Sequence, residues 1–121
     1  MKSCLVVDDS KVIRMVAGNI LEDLDFEVLE AGDAEVAVDT CAKRMPDAIL
    51  LDWNLPAMTG IDFLRHLRGM AGGTVPVVVF CTTGNDVAHM EKAMSTGADE
   101  FIMKPFDSEI VQMKFAQVGL I

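Results

Sequence analysis

Asp8-Asp9, Asp52, Thr82-Thr83 and Lys104-Pro105 are the residues whose types could do chemistry together, although nothing in their linear spacing pairs them. Carboxylates gathered at one place repel by about 4 kcal/mol per pair at roughly 4 Å and an effective dielectric near ~20, so such a cluster needs a cation. Lys104 supplies one positive charge. Hard oxygen donors with open positions also suit Mg²⁺, which keeps several waters and takes a carboxylate or two plus phosphate oxygens. A metal, an amine and a hydroxyl donor are what a transferring phosphoryl group needs around its equatorial oxygens, and a carboxylate, Asp52, can serve as the in-line nucleophile.

Strands must position these residues, because each group follows an apolar run of strand length. The runs lie at Cys4 to Val7, around Val28, at Ala48 to Leu51, at Val77 to Cys81 and at Phe101 to Met103. Most lack the alternation of a half-solvated strand and read as strands buried on both faces. Helical spacing fills the gaps. From Ser10 to Leu24, Ile13, Val16, Ala17, Ile20, Leu21 and Leu24 fall on one stripe behind a Ser10 cap. Asp33 caps a second helix through Cys41, ended by Met45-Pro46, and Thr59 to Arg68 makes a third before the Gly72-Gly73 turn. Asp86 to Ser95, closed by Gly97, and Ser108 to Val118, closed by Gly119, complete the series. The alternation predicts an α/β fold, a doubly wound parallel sheet with helices on both faces. In such sheets ligands bind outside the carboxyl ends of the strands, where the candidate residues fall.

With 121 residues, the chain reads as one domain, residues 1–121. Its formal net charge of −9 repels phosphate backbones and anionic lipid, so neither nucleic acid nor a membrane is an expected partner. No linker, repeat or low-complexity tract interrupts it, and no attached DNA-binding or catalytic effector domain is expected. The opening residues reach the Asp pair before any stretch long enough for a signal peptide, and no run approaches a membrane span, which predicts a cytoplasmic protein. Cys4, Cys41 and Cys81 are odd in number, lack a Cys-x-x-Cys pair and sit inside apolar segments, as structural thiols do.

Across essentially its whole length the chain resembles the receiver domains of bacterial two-component response regulators, above all the single-domain chemotaxis regulators. The acidic pair of that family is matched by Asp8 and Asp9, its phosphoacceptor by Asp52, its hydroxyl by Thr82, its aromatic switch by Phe101 and its Lys-Pro by Lys104-Pro105. The segment Asp52-Trp53-Asn54-Leu55-Pro56-Ala57-Met58-Thr59-Gly60 is similar to the chemotaxis version, in which the residue at Asn54 offers its backbone carbonyl to Mg²⁺. The resemblance implies a flavodoxin-like sheet of order 2-1-3-4-5. It also implies a phosphoacceptor that catalyses only its own phosphorylation and dephosphorylation, with a histidine kinase as donor and a phosphatase as a further partner. A downstream target is bound directly, with a flagellar motor switch as first choice and a phosphorelay in development or stress as the alternative. The target surface is placed at Met90, Phe101, Met103 and Lys114.

Three departures stand out. Phe101 lacks the hydroxyl that chemotaxis regulators often carry as Tyr. Val77 to Thr82 is one residue longer than expected, so the switch hydroxyl is Thr82 or Thr83. Thr83 also occupies a usually small position, where it would narrow phosphoryl access.

Other readings explain less. A haloacid dehalogenase-type phosphatase wants a second acid two residues after its nucleophile, and Asn54 cannot move the proton. A calcium loop fails because Pro56 and Met58 occupy ligand positions. A pseudo-receiver would have lost Asp52, Lys104 or the acidic pair. Asp8 and Asp9 could cap the first helix, but Ser10 already offers that cap. His66 and His89 read as solvated helix residues, and most methionines as core.

Overall fold

The computed structural model describes residues 1–83 and 87–121. The apolar runs become strands and the periodic segments helices, in the order β1 (Ser3–Val7), α1 (Lys11–Asp23), β2 (Glu27–Ala31), α2 (Ala34–Lys43), β3 (Ala48–Asp52), α3 (Gly60–Arg68), β4 (Val77–Thr82), α4 (Val87–Thr96), β5 (Glu100–Met103) and α5 (Ser108–Gln117). All pairings are parallel and the sheet order is β2-β1-β3-β4-β5, as the resemblance implies.

The inner strands β1 and β3 are buried at every residue, and β4 at all but its first. The outer strands differ: β2 and β5 are only half-buried, because an edge strand has a neighbour on one side alone. Two apolar layers sandwich the sheet. One joins Leu5, Ile49, Phe80 and the inner faces of α2, α3 and α4; the other joins Val6, Leu50, Val79 and residues of α1 and α5. Phe63, Phe80 and Phe115 are fully buried, and truncating any of them to Ala costs about 3–5 kcal/mol.

Among the described residues, four side chains cap helices: Ser10, Asp33, Thr59 and Asp107 accept from the backbone N–H of Ile13, Val36, Asp62 and Ile110. Each satisfies an otherwise orphaned donor. The expected start of the fourth helix, Asp86, lies outside the described residues. On α1 the buried stripe is narrower than its spacing predicts. Ala17, Gly18 and Leu21 face the sheet while Val16 is exposed, because close packing on β2 centres the contact on the small residues. All three cysteines are free and buried, as structural thiols should be. Burial pushes the thiols of Cys4 and Cys41 up to about 12 and about 11, and that of Cys81 further. Among the described residues no helix is long and apolar enough to cross a membrane.

Candidate functional site

Parallel pairing brings the carboxyl ends of β1, β3, β4 and β5 to one edge, and the candidate residues arrive with them. Asp8 follows β1, its backbone N–H bonded to the Ala31 carbonyl at 3.1 Å and its Oδ1 accepting from Ser10 N–H at 2.9 Å. Arg14 fixes the same turn by donating to the Asp8 carbonyl at 2.7 Å. Asp52 ends β3 and is 5% exposed. The chain after it is pinned twice: Trp53 N–H donates to the Cys81 carbonyl at 3.0 Å and Gly60 N–H to the Trp53 carbonyl at 2.8 Å. A Cβ on Gly60 would lie 2.5 Å from the Asp52 carbonyl oxygen, so only glycine lets this loop close.

Lys104, just beyond β5, crosses the edge. Its Nζ donates to Asp8 Oδ2 at 2.6 Å and to Asp52 Oδ1 at 3.0 Å, and its own N–H donates to the Thr82 carbonyl at 2.8 Å. The peptide bond to Pro105 is cis. Carboxylate oxygens of Asp8, Asp9 and Asp52 lie within 4.8 Å of one another, with Asp9 exposed and the other two buried. Burial pushes the Asp52 carboxyl above its ordinary range. The Lys104 bond and charge and the Asn54 backbone N–H oppose that rise, while the like charge of Asp8 adds to it. Burial also works against the charge on Lys104, but its bonds to Asp8 and Asp52 overcome this and hold the ammonium above its usual pKa.

Three carboxylates against one ammonium leave a local excess of negative charge, made of hard oxygen donors with one exposed member. That donor set fits a small divalent cation such as Mg²⁺.

Thr82 is the last residue of β4, buried and in register with Met103, whereas Thr83 is exposed and beyond the strand. The extra residue noted in the sequence is thus a sixth strand residue, and Thr82 is the hydroxyl at the strand end. Phe101 is half-buried against the apolar layer on the α2, α3, α4 side, with Lys114 Nζ 5.1 Å from its ring centroid and 3.5 Å from Glu100 Oε1. Met90 is half-buried on α4 and Met103 exposed on β5. His66 is exposed as expected. His89 is not simply solvated: its ring lies 3.8 Å from that of Trp53, tying the residue after Asp52 to α4. Nothing in the spacing of Trp53 and His89 signals that contact, which depends on how α4 packs over the sheet.

The profile of the response regulator receiver domain family matches residues 4–115. The phosphate regulon transcriptional regulatory protein PhoB of Escherichia coli is 40% identical over 103 residues, which cover 84% of this chain and 44% of that protein. The chain likewise spans about half the length of the regulator YxdJ of Bacillus subtilis, at 32% identity. Among solved structures, the chemotaxis protein CheY4 of Vibrio cholerae superposes with a TM-score of 0.92 at 30% identity, covering 98% of both chains. The receiver domain of the sensor histidine kinase PA1611 of Pseudomonas aeruginosa, with magnesium coordinated in its active-site cleft, superposes at 0.86 with 26% identity, covering 96% of this chain and 95% of that one.

Proposed function

Because the chain belongs to the response regulator receiver domain family, a family of signalling proteins, we propose that residues 1–121 form one cytoplasmic receiver unit whose Asp52 accepts a phosphoryl group from the phosphohistidine of a histidine kinase. The observation that carries the reading is the buried Asp52 carboxylate bonded to Lys104 and crowded by Asp8 and Asp9. Asp8, Asp9 and Asp52, with the backbone carbonyl of Asn54, would hold Mg²⁺; bound there, it supplies positive charge that eases carboxylate repulsion and offsets the charge of the incoming group. Magnesium in the receiver domain of PA1611 supports that assignment.

In the transfer a carboxylate oxygen of Asp52 forms the new bond to phosphorus while the bond from phosphorus to the imidazole nitrogen breaks, the electron pair leaving with the imidazole. Lys104 orients Asp52 and offers its ammonium to the phosphoryl oxygens. The Thr82 hydroxyl then donates to a phosphoryl oxygen, letting Phe101 seat more deeply. The face around Met90, Phe101, Met103 and Lys114 changes its affinity for the target. About 1.4 kcal/mol of differential stabilisation gives each tenfold of preference, within reach of one or two charge-assisted hydrogen bonds.

For the output we take the chemotaxis reading, with a flagellar motor switch as target, supported by likeness to CheY4 over nearly all of both chains. Identity to PhoB favours instead a receiver that controls a transcriptional output, against the expectation from charge that no nucleic acid is involved. Acetyl phosphate should add one phosphoryl mass, abolished by Asp52→Asn or EDTA; undiminished labelling of the variant overturns the assignment. Titrating the phosphorylated chain against an isolated motor-switch protein separates the two outputs, and loss of the affinity gain in Thr82→Ala and Phe101→Ala tests the route.

A further inference from the structure

Away from the carboxylate cluster, a groove of about 430 Å³ opens between the first turns of α2 and the loop after β3, a volume within the range of ligand sites. Its lining divides by chemistry. Val38, Pro56, Ala57 and Met58 line it with apolar side chains, Asp33, Glu35 and Asp39 with acidic ones from the N-cap and first two turns of α2, and His66 of α3 lines it as well. One oxygen of Asp33 caps α2 through Val36 N–H at 2.8 Å. Glu35 and Asp39 are exposed, and none of the ion pairs among the described residues takes up either one.

The loop wall is already shaped. Met58 N–H donates to the Pro56 carbonyl at 2.8 Å across Ala57, which sits at φ 68, and the loop is tied from Trp53 to Gly60. An occupant therefore meets a preorganised surface and spends little on ordering it. The unbranched thioether of Met58 adapts to aliphatic side chains of varied shape.

We propose that this groove docks a short basic and aliphatic segment of a partner protein, with an Arg or Lys against the α2 carboxylates and a Leu or Ile on the Val38, Ala57 and Met58 surface. The apolar floor disfavours a bare inorganic cation, and the carboxylates disfavour an anionic peptide or lipid. A second copy seated on the same face in a two-fold dimer would set Glu35 and Asp39 against their own equivalents, in a chain of net charge −9.

The test uses the full ¹⁵N-labelled chain and two six-residue peptides identical in their leucines, one with two arginines and the other with two glutamates in their place. The arginine peptide should shift the Val38, Ala57 and Met58 amides saturably, and more weakly as salt is raised. The glutamate peptide should leave them in place. The double variant Glu35→Gln/Asp39→Asn, which spares the Asp33 cap, should bind the arginine peptide about fivefold more weakly. Equal binding of the two peptides, shifts confined to another face, or no saturable shift at millimolar peptide would overturn the proposal. Groove amides that move with protein concentration alone would assign the face to a second copy and overturn it too. The peptide comparison stands even if the double variant folds poorly.

Discussion

Arg68 and Lys104 are long cations at opposite ends of one sheet, and their surroundings differ in charge. Where β4 and β5 begin, Arg68 donates to the carbonyls of Gly97 at 2.6 and 3.1 Å, Gly73 at 2.9 Å and Pro76 at 2.8 Å, and to Asp99 Oδ2 at 3.2 Å. The same Asp99 oxygen takes the Val78 N–H at 2.8 Å. One cation meets one carboxylate, and the remaining guanidinium protons close carbonyls that the sheet and helices leave open. At the other end Lys104 faces Asp8 and Asp52, with Asp9 close by. The first arrangement is balanced in charge; the second is left negative, with donors that fit a cation.

The contrast breaks first at Arg68. Arg68→Ala strands acceptors at Gly73, Pro76 and Gly97 together with Asp99, and should lower stability by about 3 kcal/mol, with a fall in Tm of roughly 10 °C. Arg68→Lys should restore little, since an ammonium lacks the planar fork. Calorimetry on both variants checks this, and a loss below about 1 kcal/mol would remove Arg68 from its role.

Buried thiols sharpen the comparison next. Cys4 lies near the start of β1 and burial pushes its thiol up to about 12, whereas Cys81 lies beside the cluster and is pushed further. Below the unfolded value, about 9, both states keep the proton and stability is unaffected. Above it only the unfolded chain ionises, so stability falls with rising pH until the folded thiol titrates, by about 1.4 kcal/mol per pH unit for Cys4. Denaturant midpoints from pH 8 upward should decline, and less steeply in Cys4→Ala, within the window of about 9 to about 12 that the shift of Cys4 defines.

At the negative end the expected sign reverses. Asp52→Asn removes a buried like charge beside Asp8 while Lys104 keeps the Asp8 bond, so without divalent cation the variant should be more stable than the parent by about 1 kcal/mol. It should also gain less from Mg²⁺, because stabilisation by a ligand scales with its affinity for the folded state. Thermal melts with and without Mg²⁺ decide both points. The smallest effect belongs to an exposed pair outside both ends: Arg65 and Asp62 sit one turn apart at 3.1 Å, and Arg65→Ala should change stability by less than about 0.5 kcal/mol.

Why the Lys104 end could be foreseen and the Arg68 end could not follows from what each is made of. Strands buried on both faces appear as unbroken apolar runs, so the residues ending them were legible, and Asp8, Asp9, Asp52 and Lys104 do converge. Arg68 bonds chiefly to backbone carbonyls, which every residue possesses and which leave no trace in side-chain order. Thr82 and Thr83 were indistinguishable as types; the register of β4 on β5 separates them. The exposure of Val16 and the stacking of His89 on Trp53 depend on how closely a helix approaches the sheet, which periodicity does not carry.

Lys104 stands 96 residues along the chain from Asp8 and 52 from Asp52. A chain emerging during synthesis can pair β1 with β3 and bring the two acids near each other well before the lysine exists. Such a fragment holds mutually repelling carboxylates with no ammonium between them, however native its early strands are. The same holds for a finished molecule whose β5 has locally opened. Among the described residues the ammonium in contact with Asp8 and Asp52 therefore arrives only when the last strand docks, which ties the state of this acidic edge to the completion of folding.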